Sequence, residues 1–204
     1  MILSKLRHMA KTQPVAADPE VHRLMQEVDA LRLELTDMGR RLAEAERLAD
    51  HDVLTPLLNR RAFVREVQRA IALTRRHNTP ACLIYFDLDD FKGVNDRHGH
   101  AAGDAVLIAV AERLSGDVRQ ADVVGRIGGD EFAVLLQHAD AAAAAAKADA
   151  LAKAVSEPVA APNGATVRVA ITWGVRQIGA VDAAEQALSE ADAAMYLRKP
   201  ARDL

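Results

Sequence analysis

Arg126-Ile127-Gly128-Gly129-Asp130-Glu131-Phe132 is the stretch that decides how this chain folds. Glycine tolerates the positive φ angles that tight hairpin turns need, so the two adjacent glycines indicate a turn. The flanking segments, 122–127 and 132–137, are rich in β-branched and apolar residues, which is typical of buried strands. The sequence therefore predicts a β-hairpin whose tip presents two carboxylates. Taken alone, these acids could equally be the solvated acids that turns often carry.

A second acidic cluster lies upstream and favours a functional interpretation. The apolar run that begins at Ala81 ends abruptly at Asp87, Asp89 and Asp90, as expected for a core strand whose carboxyl end opens into a site. Hard cations such as Mg²⁺ prefer oxygen ligands and commonly take one or two carboxylates plus substrate phosphates. Asp87 and Asp130, on neighbouring strands, would suit a metal ion bound together with a nucleotide.

These clusters resemble the diguanylate cyclase family, which is named for its Gly-Gly-Asp-Glu-Phe motif and condenses two GTP molecules into cyclic di-GMP. The matching motifs follow the family's order and cover about three quarters of the chain; they lie at 52–63, 87–96, 99–107, 126–132 and 191–196. The resemblance implies an enzyme with an α+β fold: a palm-like, nucleotide-cyclase-like GGDEF domain with a central mixed sheet flanked by helices.

Apolar periodicity and turn residues predict the elements of this domain. We expect helices at about 60–77, 102–115, 140–155 and 182–197, and strands at 81–88, 122–127, 132–137 and 166–173. The catalytic GGDEF domain is predicted to occupy residues 51–204.

The N-terminal part has a different pattern. Residues 1–19 lack a clear period and predict a flexible tail. From residue 21 apolar residues recur at alternating steps of three and four: Val21, Leu24, Val28, Leu31, Leu35, Met38, Leu42, Ala45 and Ala49. This pattern predicts a dimerising coiled-coil helix over 20–50. A helix that folds back onto its own domain is the alternative.

Composition bounds the class of protein. The chain has 204 residues and a formal net charge of −3, so it lacks the basic character of nucleic-acid binding proteins. The single cysteine, Cys82, excludes a disulfide framework and is compatible with a reducing compartment. The sequence shows neither a membrane span nor a signal peptide, and we expect a cytoplasmic location.

The resemblance assigns the metal and the proton transfer. Asp87, the carbonyl of Leu88, and Asp130 would hold Mg²⁺, with Glu131 a further ligand; two ions per GTP are expected, with Mn²⁺ as the alternative metal. Asp130 is also the family's candidate proton acceptor for the 3′-hydroxyl, and Glu131 belongs to the same catalytic pair.

By the same resemblance, Lys92 and Lys199 would bind the triphosphate of GTP, and Lys92 would also act in catalysis by stabilising the charge that builds up on the triphosphate. Both could instead be exposed surface lysines. The family continues beyond the second lysine with Gly-Arg-Asn, whereas this chain has Pro200-Ala-Arg-Asp-Leu204, so a role for Arg202 is open.

Guanine selection has a chemical basis. Guanine offers N1–H and N2 donors that one aspartate can accept together, whereas adenine presents an acceptor at N1. The resemblance gives this role to Asp104, with Asn95 reading another part of the base and His100 beside the pocket. Asp104 could instead be an acid favoured near a helix start.

Arg119 and Asp122 match the family's R-x-x-D product-inhibition site for cyclic di-GMP. The alternative is an ordinary surface salt bridge. Because each active site of this kind holds one GTP, the cyclic product implies a homodimer, joined through a parallel N-terminal coiled coil. Other hypotheses are an inactive receptor for GTP or cyclic di-GMP, a structural adaptor, and a hybrid cyclase, which Asp104 disfavours.

Overall fold

The computed structural model describes residues 19–199. Most of the predicted tail, residues 1–18, and the C-terminal residues 200–204, including Arg202, lie outside the described residues. The chain divides into two compact units, with the boundary between Arg47 and Leu48. No helix among the described residues is long and apolar enough to cross a membrane.

The first unit contains most of helix α1, Pro19–Asp50. The helix agrees with the periodicity of this segment. Apolar side chains along it are exposed in the single chain: Val21, Leu24, Met25, Val28, Leu31, Leu35, Met38 and Leu42. Exposing a continuous apolar stripe to water is unfavourable in free energy, and a coiled-coil dimer would bury it. The dimer itself stays a prediction.

The second unit is built on a five-stranded mixed sheet. Its strands are β1 Leu58–Asn59, β2 Ala81–Leu88, β3 Val123–Arg126, β4 Glu131–Gln137 and β7 Ile171–Gln177, and they lie in the order β1-β3-β4-β2-β7. Strand β2 is antiparallel to both β4 and β7, and β1 is parallel to β3. Six of the eight β2 residues are buried in succession, which explains its uninterrupted apolar sequence.

Helices cover the sheet on two faces, and each face has its own hydrophobic cluster. Helices α4 (His100–Gly116) and α5 (Ala141–Val155) contribute to one cluster, and α2 (Arg60–His77) and α6 (Ala184–Tyr196) to the other. A short helix, α3 (Phe91–His98), follows β2. This arrangement confirms the predicted α+β class with a mixed sheet flanked by helices.

The predicted strand 166–173 is wrong. Residues 166–167 form β6 (Thr166–Val167), which pairs with β5 (Val159–Ala160) in a separate hairpin, while β7 begins at Ile171 and pairs with β2. The sequence between them contains no glycine or proline, so nothing local marks the break. Helix α3 and strands β1 and β5 were not predicted, and the remaining elements differ from prediction by at most about two residues at their ends.

The central hairpin forms as predicted, but the positive φ angles expected at its glycines are wrong. Neither Gly128 nor Gly129 has a positive φ; among the described glycines, only Gly99 and Gly164 do. The turn closes through the N–H groups of Ile127 and Gly128, which donate to the Glu131 carbonyl at 2.8 and 3.3 Å. A Cβ at position 128 would lie 1.9 Å from the Glu131 Oε2, so a larger residue there would displace the Glu131 carboxylate.

Candidate active site

Two acidic segments meet at one end of the sheet. Asp87, near the end of β2, stands opposite Glu131 on β4 and opposite Thr172 on β7. The Leu88 N–H donates to the Asp130 carbonyl at 3.1 Å. The antiparallel register thus brings the Asp-Leu pair and the Asp-Glu pair side by side, as the sequence analysis expected.

Asp87 is engaged by Lys199, which follows helix α6. The Lys199 Nζ lies 2.6 Å from the Asp87 Oδ1, and both side chains are about five-sixths buried, with 16% and 15% exposed. The preceding residue, Arg198, stacks over Trp173 of β7 with its Cζ 3.6 Å from the ring centroid. The segment after α6 is therefore attached to the sheet by an ion pair and a cation–π contact.

Glu131 has an environment that disfavours its charge. Burial raises the pKa of this carboxyl; a hydrogen bond from Tyr85 opposes that rise, and the negative charges of Asp87, Asp192 and Asp130 add to it. The net pKa of Glu131 is above its ordinary value. Tyr85 itself is buried, and the pKa of its hydroxyl is raised by burial and by the Glu131 charge. A carboxylate in this setting gains from a neighbouring cation.

A pocket of about 440 Å³ adjoins the acidic turn. It contains most of the residues assigned to nucleotide binding, and its lining is Phe91, Lys92, Asn95, Asp96, His100, Asp104, Leu107, Arg126, Gly129 and Asp130. Helix α3 presents the lysine and asparagine, and helix α4 presents the histidine and aspartate. Lys199 is not part of this lining and contacts Asp87 instead.

The side chain of Asn95 packs closely against Gly103 of α4. A Cβ at position 103 would be 2.0 Å from the Asn95 Oδ1, so Gly103 lets α4 approach this amide. Gly99, at φ +83°, separates α3 from α4. Gly103 thus allows the close packing of α4 against Asn95, and Gly99 allows the change of direction between the two helices that line the pocket.

A second pocket of about 310 Å³ contains Arg119 and Asp122, together with His51, Pro56, Gln120 and residues of β1 and β3. The alternative of a salt bridge between them is not observed among the described ion pairs. Asp122 instead accepts from the backbone N–H of Arg119 at 3.0 Å and of Gln137 at 3.1 Å. Its carboxylate therefore fixes the entry to β3.

A family model described as "Diguanylate cyclase, GGDEF domain" matches residues 49–203, which is most of the chain. The chain belongs to the GGDEF family. The diguanylate cyclase TpbB of Pseudomonas aeruginosa is 37% identical over 199 residues, which is 95% of this chain and 46% of TpbB. The chain thus spans about half the length of that curated relative.

Solved GGDEF structures have the same architecture. The isolated GGDEF domain of P. aeruginosa TpbB aligns with a TM-score of 0.67 and 40% identity, covering 72% of this chain and 87% of that one. The coiled coil and GGDEF domain of DgcB from Caulobacter crescentus, in complex with c-di-GMP, aligns with a TM-score of 0.78 and 28% identity, covering 85% of this chain and 92% of that one.

The donor set of this GGDEF domain fits a divalent cation that arrives with phosphates. Among the described residues, no three His, Cys, Asp or Glu side chains converge closely enough to hold an ion by themselves. Asp87 and Glu131 stand opposite each other, with Asp130 and the backbone of Leu88 adjacent. Mg²⁺ commonly binds one or two carboxylates and completes its octahedron with water and substrate phosphates, which this arrangement allows.

Three further residues, Arg126, Asp52 and Tyr85, were not predicted from the sequence to have a role in the site. Arg126 lines the pocket of about 440 Å³ and joins Asp52 to the backbone of the turn. Tyr85 contacts the acidic turn through a hydrogen bond to Glu131. Their positions in the sequence could have indicated this. Tyr85 precedes Asp87 by two residues and so lies on the same strand face, and Arg126 is the first residue of the hairpin motif.

Proposed function

We propose that this chain is a diguanylate cyclase that condenses two GTP molecules into cyclic di-GMP and releases two pyrophosphates, acting as a homodimer. One observation carries the proposal: a pocket bearing Asn95, Asp104 and Lys92 opens beside the turn of Asp130, next to the carboxylates of Asp87 and Glu131. The curated relative TpbB is named a diguanylate cyclase, and DgcB was solved with c-di-GMP.

The base is read at the α3–α4 side of the pocket. Among the described residues, no hydrogen bond or ion pair engages the side chains of Lys92, Asn95 or Asp104, so these groups are available to a ligand. Asp104 accepts from guanine N1–H and N2, Asn95 contacts the base edge, and His100 borders it. An adenine would leave Asp104 facing another acceptor, which favours GTP over ATP.

The triphosphate extends toward the sheet end. Lys92 and Lys199 supply positive charge to the phosphates, and for Lys199 this requires release from Asp87. Asp87, the Leu88 carbonyl, Asp130 and Glu131 would hold Mg²⁺, with two ions per GTP and Mn²⁺ as a substitute. When bound, the metal neutralises phosphate charge and acidifies the attacking hydroxyl. Asp130 accepts the proton of the 3′-hydroxyl.

Two active sites must face each other, since one pocket holds one nucleotide. The exposed apolar stripe of α1 supplies a parallel coiled-coil dimer over residues 20–50, and the GGDEF domain comprises 51–204. The pocket with Arg119 and Asp122 binds cyclic di-GMP as an inhibitor, with the arginine contacting phosphate and guanine edges.

The test is product analysis by chromatography after incubating the full chain with GTP and Mg²⁺, in the presence of a phosphodiesterase that removes the inhibitory product. We expect cyclic di-GMP, together with the linear guanine nucleotides that the phosphodiesterase forms from it, when GTP is supplied, and no cyclic dinucleotide from ATP. Asp130→Asn should lower product formation by about 10³-fold. Asp149→Asn, an exposed acid on α5, is the matched control and should leave turnover unchanged.

If the wild-type chain binds GTP but yields no product, the enzyme proposal is wrong and the receptor hypothesis replaces it. If Asp130→Asn leaves a cellular effect of the protein intact, the adaptor hypothesis replaces both. Mixed products from GTP and ATP together would instead identify a hybrid cyclase.

A further inference from the structure

Arg126 connects the turn of the active site to the segment that follows helix α1. We propose that Arg126 is a positioning residue: held by Asp52, it fixes the Gly129 carbonyl and thereby the direction of Asp130. The inference rests on the proposed function for its catalytic consequence, but its structural part can be measured without turnover.

The contacts of Arg126 are short and shielded. Its Nη2 and Nε donate to the Gly129 carbonyl at 2.7 and 3.3 Å, and its Nη1 donates to the Asp52 Oδ1 at 2.9 Å. The side chains of Arg126 and Asp52 are only 12% and 18% exposed. A planar guanidinium is suited to this task because it can hold a carbonyl and a carboxylate at once, in a fixed relative orientation.

Asp52 is itself held in one orientation. Its Oδ1 accepts from the backbone N–H groups of Leu54 and Thr55 at 3.2 and 2.9 Å, and from the Thr55 hydroxyl at 2.8 Å. Burial acts to raise the pKa of Asp52, but the hydrogen bonds from Arg126 and Thr55 hold it below its ordinary value. The carboxylate is therefore a charged, preorganised anchor for Arg126.

The turn depends on this anchor. Within the described residues, Arg126 supplies the side-chain hydrogen bonds to the backbone of residues 128–130. A Cβ at Gly129 would find nothing within 4 Å, so packing does not hold that residue. Because the Gly129 carbonyl belongs to the peptide unit that enters Asp130, fixing its oxygen restricts the backbone from which the Asp130 side chain projects.

The bridge also links the site to the end of α1. Asp52 lies two residues after the last residue of α1, Asp50, whose carboxylate pairs with Arg61 at 3.1 Å and with Arg65 at 2.5 Å. Asn59 donates to the carbonyls of Ala49 and His51 at 2.8 and 3.2 Å. Asp52 therefore follows directly after a helix end that is itself fixed to α2 and β1 by ion pairs and hydrogen bonds.

The experiment compares Arg126→Lys, Asp52→Asn and the double variant in the full chain. Lysine keeps the charge but cannot hold both partners, and asparagine keeps an acceptor for the Thr55 N–H but loses the charge. Arg176→Lys is the matched control, because Arg176 pairs with Asp182 at 3.2 Å toward the opposite end of β7 and is also partly buried.

Two properties are measured in addition to thermal unfolding: the steady-state kinetics with GTP and the rate of amide hydrogen exchange in the turn. We expect Arg126→Lys to lower kcat by about 10- to 100-fold, with KM for GTP changed by less than about threefold. Asp52→Asn should do the same, and the double variant should be no slower than Arg126→Lys alone. Hydrogen exchange at the Ile127 and Gly128 amides should be faster in these three variants and unchanged in Arg176→Lys.

Wild-type kcat or wild-type exchange at these amides in Arg126→Lys would overturn the inference. So would additive effects of the two single variants, or an equal loss of kcat in Arg176→Lys. If the wild-type chain shows no turnover, the proposed function fails, and the exchange rates alone decide whether Arg126 holds the turn.

Discussion

The two polar pockets of the globular unit differ in how their charged groups are used. In the pocket between α3 and α4, the side chains of Lys92, Asn95 and Asp104 have no protein partner among the described residues. In the other pocket, Asp122 already accepts two backbone N–H groups. The first pocket leaves its polar groups to a ligand, while the second uses one of them to hold the fold.

This difference between the pockets predicts which substitutions change ligand affinity and which change the stability of the fold. A polar group without a protein partner contributes little to folding, so its replacement should affect ligand affinity alone. A carboxylate that closes a backbone turn contributes to both, so its replacement mixes the two effects. Family motifs do not reveal this difference, because both aspartates sit at motif positions.

Among the variants that test this comparison between the pockets, Asp104→Asn has the largest expected effect. An asparagine cannot accept both guanine donors, so kcat/KM for GTP should fall by about 100-fold while the unfolding temperature stays unchanged. Steady-state kinetics and thermal unfolding measure the two quantities. Inosine triphosphate sharpens the test, because it lacks the N2 donor: the preference for GTP over ITP should be large in the wild type and absent in the variant.

Replacing Asp122 tests the other side of the comparison. Asp122→Ala leaves the N–H groups of Arg119 and Gln137 without their acceptor, so the free energy of unfolding should fall by about 1–3 kcal/mol. Arg119→Ala should relieve inhibition by cyclic di-GMP with no loss of stability. Equal stability of the two variants in urea denaturation would break the proposed distinction between the pockets.

The sequence was sufficient for the class of fold and for most elements. The hairpin around residues 126–132 and the buried strand 81–88 were predictable because their local patterns agree with their tertiary environment. The break between Val167 and Ile171 was not, because it depends on β7 pairing with β2, a contact across more than eighty residues. Helix α3 was missed because only Val94 among its residues is buried.

The candidate site shows the same limit. Asp87 and Glu131 could be brought together from the sequence, since adjacent strands end there. The attachment of Lys199 to Asp87, the contacts of Arg126 and the close approach of Gly128 to the Glu131 carboxylate depend on distances between segments remote in sequence or on side-chain packing within a turn. Residue types and spacing indicate which chemistry is available, but not which groups the protein has already paired.

Lys199→Met tests a case between these two pockets: Lys199 is paired with another side chain of the site, Asp87, and not with the backbone. A cation that approaches Asp87 must compete with the Lys199 ammonium 2.6 Å away, so the variant should bind Mn²⁺ about fivefold more tightly in the absence of nucleotide. Electron paramagnetic resonance of free Mn²⁺ measures this. Lys92→Met removes the same charge without touching Asp87 and should not tighten binding. Equal affinities in the two lysine variants would show that Lys199 does not compete.

The smallest expected effect concerns Glu131. The pKa of this carboxyl is raised in the folded protein by burial and by nearby acids, so the folded state binds its proton more tightly than the unfolded state. Stability is consequently lost as pH rises from the ordinary glutamate pKa through the raised one. Glu131→Gln keeps an acceptor for Tyr85 and removes the charge, so it should raise the unfolding temperature near pH 7, by a margin that shrinks toward about pH 4.

Glu112→Gln, on the exposed side of α4, controls for the loss of one negative charge from an acidic chain. A pH-dependent gain of the same size in both variants would mean that net charge, and not the surroundings of Glu131, sets the effect. A gain confined to Glu131→Gln would place an unfavourable charge at the sheet end. That result would show that the acidic end of the sheet, unlike the pocket of Asp104, carries a cost in stability that a bound cation would offset.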